Sequence, residues 1–572
     1  MRYLIFSLLI IFTGCKMKKE QVDLLVKDAT VYTVDDAFTV TEAFVVKDGK
    51  ILDTGTTAAM EEQYRPGEVL SLKGLFVYPG WNDAHCHFTG YGLSLNQVDL
   101  MGTGSVEDVL RRCIAFAEND TVNDLQTIPG EESGQHDLPV ITTRGTPEHL
   151  PWITGRGWDQ NDWEVKAFPG KHDLDRVFPD IPVLLRRVDG HAGWANSKAL
   201  ELAGINAESR IEGGEVVVRN GEPTGILIDN AIGLVDRHIP EPGREEIIAG
   251  LLKAEQNCFA VGLTSVSDAG LSTEVVQLID SLHRSDQLKM RINAWLEPSE
   301  SNFDTFISQG PLREDRLTVG TLKLYADGAL GSRGARMIEP YADDPGNRGL
   351  YLTEKEKLEA WCRKALEHDF QVATHCIGDA ANRRMLQIYS GLLTEGNDRR
   401  WRIEHAQVIH PGDFRYFGTY NIVPSVQPTH ATSDMYWAED RLGKERMRGA
   451  YAYKTLLDEL GWIANGSDFP VEDINPLYGF YAAVARKDHA GYPAEGFLAS
   501  EAMNREEALR AMTTWAARAA FEEPYKGSIE KGKVADFVVM EKDIMTMDEA
   551  EIPLASVIKT YSGGEKVYEK QR

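Results

Sequence analysis

Cysteine is scarce in this chain: six residues among 572, with Cys15 standing apart near the amino terminus. The other five, Cys86, Cys113, Cys258, Cys362 and Cys376, are odd in number and widely scattered. That excludes a disulfide framework, and none sits at the close paired spacing of a structural zinc site, so they read as small buried apolar residues. Positive charge is also in deficit, with 61 lysines and arginines against 88 acids and a net charge of -27. Such a balance argues against a nucleic-acid partner and against a basic grip on an anionic bilayer, and leaves a small molecule as the expected partner. No Gly-x-Ser-x-Gly stretch occurs, so the usual serine-hydrolase elbow is missing. One near miss, "GSIEKGKV" at Gly527–Val534, has the glycines of a phosphate-binding loop. It places Val534 where a hydroxyl should hold magnesium and runs on into a strand-like segment, which excludes it.

Long apolar runs are lacking too. The stretch Tyr3–Phe12 in "MRYLIFSLLIIFTGC" is shorter than the roughly 20 residues a membrane helix needs. Arg2 ahead of it and "FTGC" at its end resemble the leader of an exported bacterial lipoprotein. On that reading residues 1–14 are a signal peptide, Cys15 carries a lipid, and 15–21 form a tether. Lys16 rather than aspartate after Cys15 points to the outer membrane, facing the periplasm or the cell surface, with the lipid as the sole membrane contact.

What is present is ample core: 42% of residues are hydrophobic and 26% charged, in a chain too long for one simple domain. "VDLLVKDATVYTV" and "AFVVKDGKILDTG" near one end, and "GKVADFVVMEKD" and "ASVIKTYSGGEKVYE" near the other, alternate apolar and polar residues, with Asp48-Gly49 and Gly563-Gly564 as hairpin turns. They predict one small β-sandwich made of 22–75 and 527–572. Between them, eight β-rich runs, each followed by a helix-like stretch, predict an α/β fold, a (β/α)8 TIM-like barrel over 76–526. The runs begin with "LFVYPGWNDAHCH" and end with "GWIANGSDFP". About 170 residues separate the first run from the second where a barrel unit takes roughly 30, so 90–245 is expected to be an insertion capping the barrel mouth. Within it, 121–150 is rich in Gly, Pro and acids and reads as an exposed loop, and Asn220-Gly221 as a hairpin turn.

"WNDAHCHF" places His85 and His87 one residue apart, so on a strand both rings project from one face and can share an ion. Polar residues able to bind metal recur at the ends of later predicted strands: Lys323 on the fourth, His375 on the fifth, His405 on the sixth, Asp468 on the eighth. Singly each has a plain structural reading. Together they fall at one end of one barrel.

On these residues, and on "PGWNDAHCHF", "TLKLYADGALGSRGA", "THCIGDAAN", "RIEHAQ", "NGSDFPV", "WITGRGWDQ" and "RRVDGHAGWANSKAL", the chain resembles the amidohydrolase superfamily. The resemblance is to the branch of the N-substituted formamide deformylases and YtcJ-like metal-dependent hydrolases, and it covers almost everything after the tether. It implies divalent metal, two zinc ions or one: His85 and His87 on the more buried ion, His375 and His405 on the more exposed one, Asp468 on the buried ion and its water. Lys323 would bridge them after its neutral amine adds carbon dioxide to become a carbamate, the alternative being a lysine paired with Asp327. The implied reaction is hydrolysis of a non-peptide carbon-nitrogen bond of the amide type by a metal-activated hydroxide, with Asp468 relaying the proton. His191, in the cap, is a candidate donor to the developing oxyanion and a substrate contact, and Trp158 a candidate apolar wall. Two rival readings are a one-metal deaminase, which would place a glutamate where this chain has Gly378, and a lipoprotein that only binds a ligand.

Overall fold

The computed structural model describes residues 19–119, 125–128, 138–143 and 151–571; the expected signal peptide and Cys15 lie outside them. Eight parallel strands make the central barrel: β1 (Trp81–Cys86), β2 (Leu263–Leu271), β3 (Arg291–Leu296), β4 (Leu317–Tyr325), β5 (Gln371–Cys376), β6 (Arg402–His405), β7 (Val423–Val426) and β8 (Ala464–Asn465). Each pairs with its neighbour in sequence, from β1 to β8. Every residue of β1, β3, β5, β6 and β7 is buried, as expected for parallel strands with helices outside and packed side chains within. The seam between β8 and β1 is closed by the segment that follows β8. Asp468 donates its backbone N–H to His85 O at 2.8 Å. The Asp83 carboxylate accepts from His85 N at 3.0 Å, Ser467 N at 3.1 Å and Ser467 Oγ at 2.6 Å. Asp83 is therefore a staple of the barrel, although it stands two residues before His85.

Both chain ends meet in two further sheets. One has six strands in the order Glu565–Glu569, Val557–Ser562, Phe537–Met540, Phe76–Pro79, Thr30–Tyr32 and Val40–Thr41. The other has four, Lys50–Gly55, Ala43–Lys47, Glu20–Lys27 and Tyr64–Ser71. Val26, Phe44, Ile51, Val77, Phe537 and Val539 share one apolar cluster, with the Phe44 and Phe537 rings edge to face at 5.1 Å. Asp48 and Gly49 form the expected turn with φ of 51° and 72°, the double positive value that a two-residue hairpin requires. One boundary moves. Phe76–Pro79 pairs with Phe537–Met540 in the terminal sheet, so the first barrel strand begins only at Trp81, beyond Gly80.

The insertion after β1 builds a six-stranded sheet of its own, in the order Gly214–Arg219, Glu222–Asp229, Ala192–Ala195, Val183–Arg187, Ile153–Trp158 and Val98–Asp99. Asn220-Gly221 is the turn between the first two. Trp158, Phe178, Leu185 and Trp194 belong to its separate apolar core. The stretch read as an exposed loop carries two short antiparallel strands, Leu125–Ile128 and Val140–Thr143, because "LQTI" and "VITT" are β-branched enough to pair. The helix Arg244–Ala260, which begins inside the expected insertion, already belongs to the barrel and packs on Phe88–Ser94.

Candidate metal centre

The carboxyl ends of the barrel strands open into a cavity of about 1470 Å³, walled below by barrel residues and above by the insertion. On its floor His87 Nε2 stands 3.2 Å from Asp468 Oδ1, and His85 Nε2, just beneath the lining, 3.5 Å from the same oxygen. Candidate ligand atoms of these three residues all lie within 4.8 Å of one another. Asp468 Oδ1 is buried and has no hydrogen-bond partner among the described residues. An orphaned carboxylate oxygen beside two imidazole nitrogens is the donor set of a divalent ion, so the residues fit one. His375 and His405 stand beside this group with ring centres 4.4 Å apart, and the His405 ring lies 5.0 Å from that of His85. Lys323 Nζ lies 3.0 Å from His85 Nε2. It does not pair with Asp327, whose carboxylate instead accepts the backbone N–H groups of Arg336, Ile377 and Gly378. A lysine at 1% exposure lacking a carboxylate within ion-pair distance among the described residues is an unusual element of a core.

Electrostatics keep the histidines and Asp468 in metal-binding form and shift Lys323 towards its neutral amine. Burial lowers His85 to about 4, the charge of Lys323 helps, and Glu404 opposes. Burial and neighbouring charged groups hold His375 and His405 well below the usual histidine range. Burial also pulls Lys323 down to about 8, against the raising effect of Glu404 and Asp468. For Asp468 burial favours the neutral acid, yet the close approach of His87 and the charge of the surrounding imidazoles win and keep it ionised.

A layer of support lies beneath. Glu404 Oε2 takes His85 Nδ1 at 2.5 Å while its Oε1 accepts from Arg402 Nε at 2.7 Å, so the ring's other nitrogen is aimed at Asp468 and Lys323. Gln427 Oε1 does the same for His405 Nδ1 at 2.8 Å. His405 and Asp468 have φ of 70° and 60°, a region L-residues rarely adopt, and the barrel seam holds the second of them in place. Sequence reasoning missed Glu404, Gln427 and His430. Glu404 and Gln427 lie at the ends of β6 and β7, the positions that mark the other candidates; His430 sits on the helix Pro428–Asp434 beyond β7, with Nε2 buried, without a hydrogen-bond partner among the described residues and 3.9 Å from Asp468 Oδ2.

The roof comes from the insertion. His191 lines the cavity with its ring 5.0 Å from that of His375, and Asp229 Oδ1 takes its Nδ1 at 2.6 Å. Burial disfavours charge on His191, but the hydrogen bond and charge of Asp229 prevail and raise its pKa. Arg187 is locked between Asp159 and Asp189. The "GALGSRG" loop after β4 presses against this roof: a Cβ at Gly328 would fall 2.5 Å from Asp229 Oδ2, so only glycine allows the approach.

Trp158 is not a cavity wall. It is fully buried in the insertion's core, with Nε1 donating to Leu185 O at 2.9 Å, and Trp437 reaches the cavity instead. The cause is a register shift between Arg156 and Trp158, with Gly157 at φ 117°: the bulge reverses the alternation, so Arg156 faces the cavity and Trp158, two residues on, faces the core. At Gly378, where a deaminase would carry its glutamate, a Cβ would sit 2.1 Å from Arg336 O, so the position admits no side chain.

Comparison with known proteins agrees with this geometry. Residues 68–568 match the amidohydrolase family. YtcJ of Bacillus subtilis (strain 168), an amidohydrolase by name, is 33% identical over 549 residues, 94% of this chain and 98% of that protein. The N-substituted formamide deformylase of Arthrobacter pascens is 26% identical over 574 residues, 96% of this chain and 98% of that protein. An uncharacterized metal-dependent hydrolase from Pyrococcus horikoshii OT3 superposes with a TM-score of 0.71 at 26% identity, covering 92% of this chain and 99% of the other.

Proposed function

The chain belongs to the amidohydrolase family and is a hydrolase, and from that premise we propose that it cleaves a non-peptide carbon-nitrogen bond of the amide type with the help of divalent metal. The observation that carries the reading is the convergence of His85, His87 and the orphaned Asp468 Oδ1 at the strand ends of the barrel, under a roofed cavity. His85, His87 and Asp468 would hold one ion and His375 and His405 a second, with Lys323 between them. When bound, such an ion supplies a water of lowered pKa and polarises a carbonyl oxygen.

The chain's own groups supply the rest. Asp468, ionised and fixed by the seam, accepts the proton of the attacking water and returns it to the departing nitrogen, giving an amine and a carboxylate. His191 has Nδ1 committed to Asp229, which leaves Nε2 as the nitrogen that meets the substrate oxygen as negative charge develops. Lys323 has the depressed pKa that a carbamate needs: its neutral amine adds carbon dioxide, one N–C bond forms, one proton leaves, and the product is an anionic carboxylate able to bridge two cations. The deaminase reading loses support because position 378 has no room for a side chain.

The test is amine release from N-acyl arylamines by protein reconstituted with zinc and bicarbonate, alongside metal content per chain. Release that is abolished by chelation, with two metal equivalents falling to one or none in Lys323→Ala, is the expected result. Full metal loading with no release across a panel of amides, ureides and formamides would overturn the proposal.

A further inference from the structure

Arg156 is the cation in the roof that has no ion pair among the described residues, Asp468 and Asp189 acting on it only from beyond contact. Its side chain leaves the strand Ile153–Trp158 just before the bulge and enters the cavity that also holds His87, Lys323, His405 and Asp468. Its neighbours on the roof are neutralised: Arg186 pairs with Asp236 at 2.6 Å, and Arg187 with Asp159 and Asp189. Asp189 is further engaged by the His191 N–H at 2.9 Å. Arg156 itself donates Nη2 to Val188 O at 2.9 Å, its Nε is buried without a partner, and among the described residues no carboxylate lies within ion-pair distance. Burial lowers its pKa to about 10, so it stays charged at neutral pH.

Leaving a guanidinium unpaired in a roofed cavity costs free energy, and a planar fork of donors matches one ligand group above others, a carboxylate held by two parallel hydrogen bonds. Acids do line the same cavity, and two half-buried ones are occupied. Asp434 accepts from Gln407 Nε2 and from Tyr451 OH, both at 2.8 Å, and Glu472 accepts from Ser433 Oγ at 2.7 Å. Asp229 Oδ2 and Asp468 Oδ1 remain acceptors on this cavity without a partner among the described residues, but among the cations of the roof it is Arg156 that keeps free donors for an anion.

We infer that Arg156 receives a carboxylate carried by the substrate, so that the preferred substrates are amides of an amino acid's nitrogen, the N-acyl amino acid class. The word substrate rests on the hydrolase reading; the carboxylate site does not. The experiment is calorimetric binding to the metal-loaded full chain of N-methylsulfonylphenylalanine and of the alcohol and amine that replace its carboxylate, none of which has a cleavable amide. The acid should bind at least about tenfold more tightly than the alcohol, as expected for a hydrogen-bonded charge pair. In Arg156→Gln that ratio should collapse towards one, and Arg156→Lys, which keeps the charge without the fork, should recover part of it and serves where the glutamine variant does not fold. Equal binding of acid and alcohol, preference for the amine, or an acid preference that survives Arg156→Gln because the carboxylate sits on the metal would each overturn the inference. Amine release from N-acetylphenylalanine is followed in parallel: acid-selective binding without release sinks the hydrolase reading alone, and release without acid selectivity sinks the Arg156 assignment alone.

Discussion

The floor and the roof of the cavity are built on different plans. On the floor every functional group comes from a strand end and leans on the barrel: Glu404 and Arg402 hold His85, Gln427 holds His405, and the backbone of Asp468 is tied to His85 O. On the roof the groups come from an inserted sheet with its own apolar core, and one of them, Arg156, has its charge unpaired. The floor is thus preorganised for one chemistry before any ligand arrives, whereas the roof has capacity that a ligand must complete. On the proposed reading, chemistry belongs to the barrel and choice of substrate to the insertion.

The sharpest test of that division is Asp468→Asn, which removes the proton carrier while keeping the shape. Turnover should drop by about 10³, within the range general-base loss produces, and the rate of amine release measures it. If His191→Asn on the roof does equal damage, the division fails. Next, Glu404→Gln leaves all ligands in place but loosens His85 and strips a buried Arg402 of its counter-charge. Metal affinity, read by chelator competition, should weaken by roughly 10- to 100-fold, together with a lower melting temperature.

The third concerns pH. Because burial brings Lys323 down to about 8, roughly one chain in ten has the neutral amine at pH 7, far more than for an ordinary lysine. Activation of the metal-free chain by bicarbonate and zinc should therefore quicken about tenfold per pH unit below 8 and level off above it; a flat profile would remove the carbamate. The stability sign is the reverse of a salt-bridged lysine: the metal-free fold binds fewer protons than the unfolded chain between about 8 and the usual 10.5, so the Lys323 penalty is fullest below 8 and fades as pH rises through that window. The smallest effect is expected at Trp158→Phe, about 1 kcal/mol of stability from the lost bond to Leu185 O, read by denaturant titration, with less than about threefold change in kcat/KM. A larger kinetic effect would tie the insertion's core to catalysis and blur the two regions.

Residues at the ends of predicted strands were legible because parallel strands of a barrel expose their carboxyl ends to one mouth, and His85 and His87 because two-residue spacing puts both rings on one face. Lys323, His375, His405 and Asp468 lie at that mouth on the strands assigned to them or just beyond their ends, and each lines the cavity. Glu404 escaped notice because it adjoins a more conspicuous histidine, and its partner is distant by 319 positions in the chain. The boundary at Gly80 escaped because one continuous apolar run serves two sheets, and nothing local marks where the chain leaves one for the other.

The sequence by itself determined the periodicities: the barrel, the sheets at the two ends, the turns at Asp48-Gly49 and Asn220-Gly221, and the set of groups able to hold metal. Those follow from local backbone preference and from spacing, which act within a few residues. The tertiary structure alone decided that Trp158 turns inward while Arg156 faces the cavity, that Asp83 staples the seam, that Lys323 stands on His85 and not on Asp327, and that among the described residues Arg187 finds two carboxylates to pair with while Arg156 finds none. A single bulge at Gly157 and contacts across hundreds of residues set those outcomes, and side-chain direction at a bulge and charge pairing at long range are properties of packing, which no local pattern encodes.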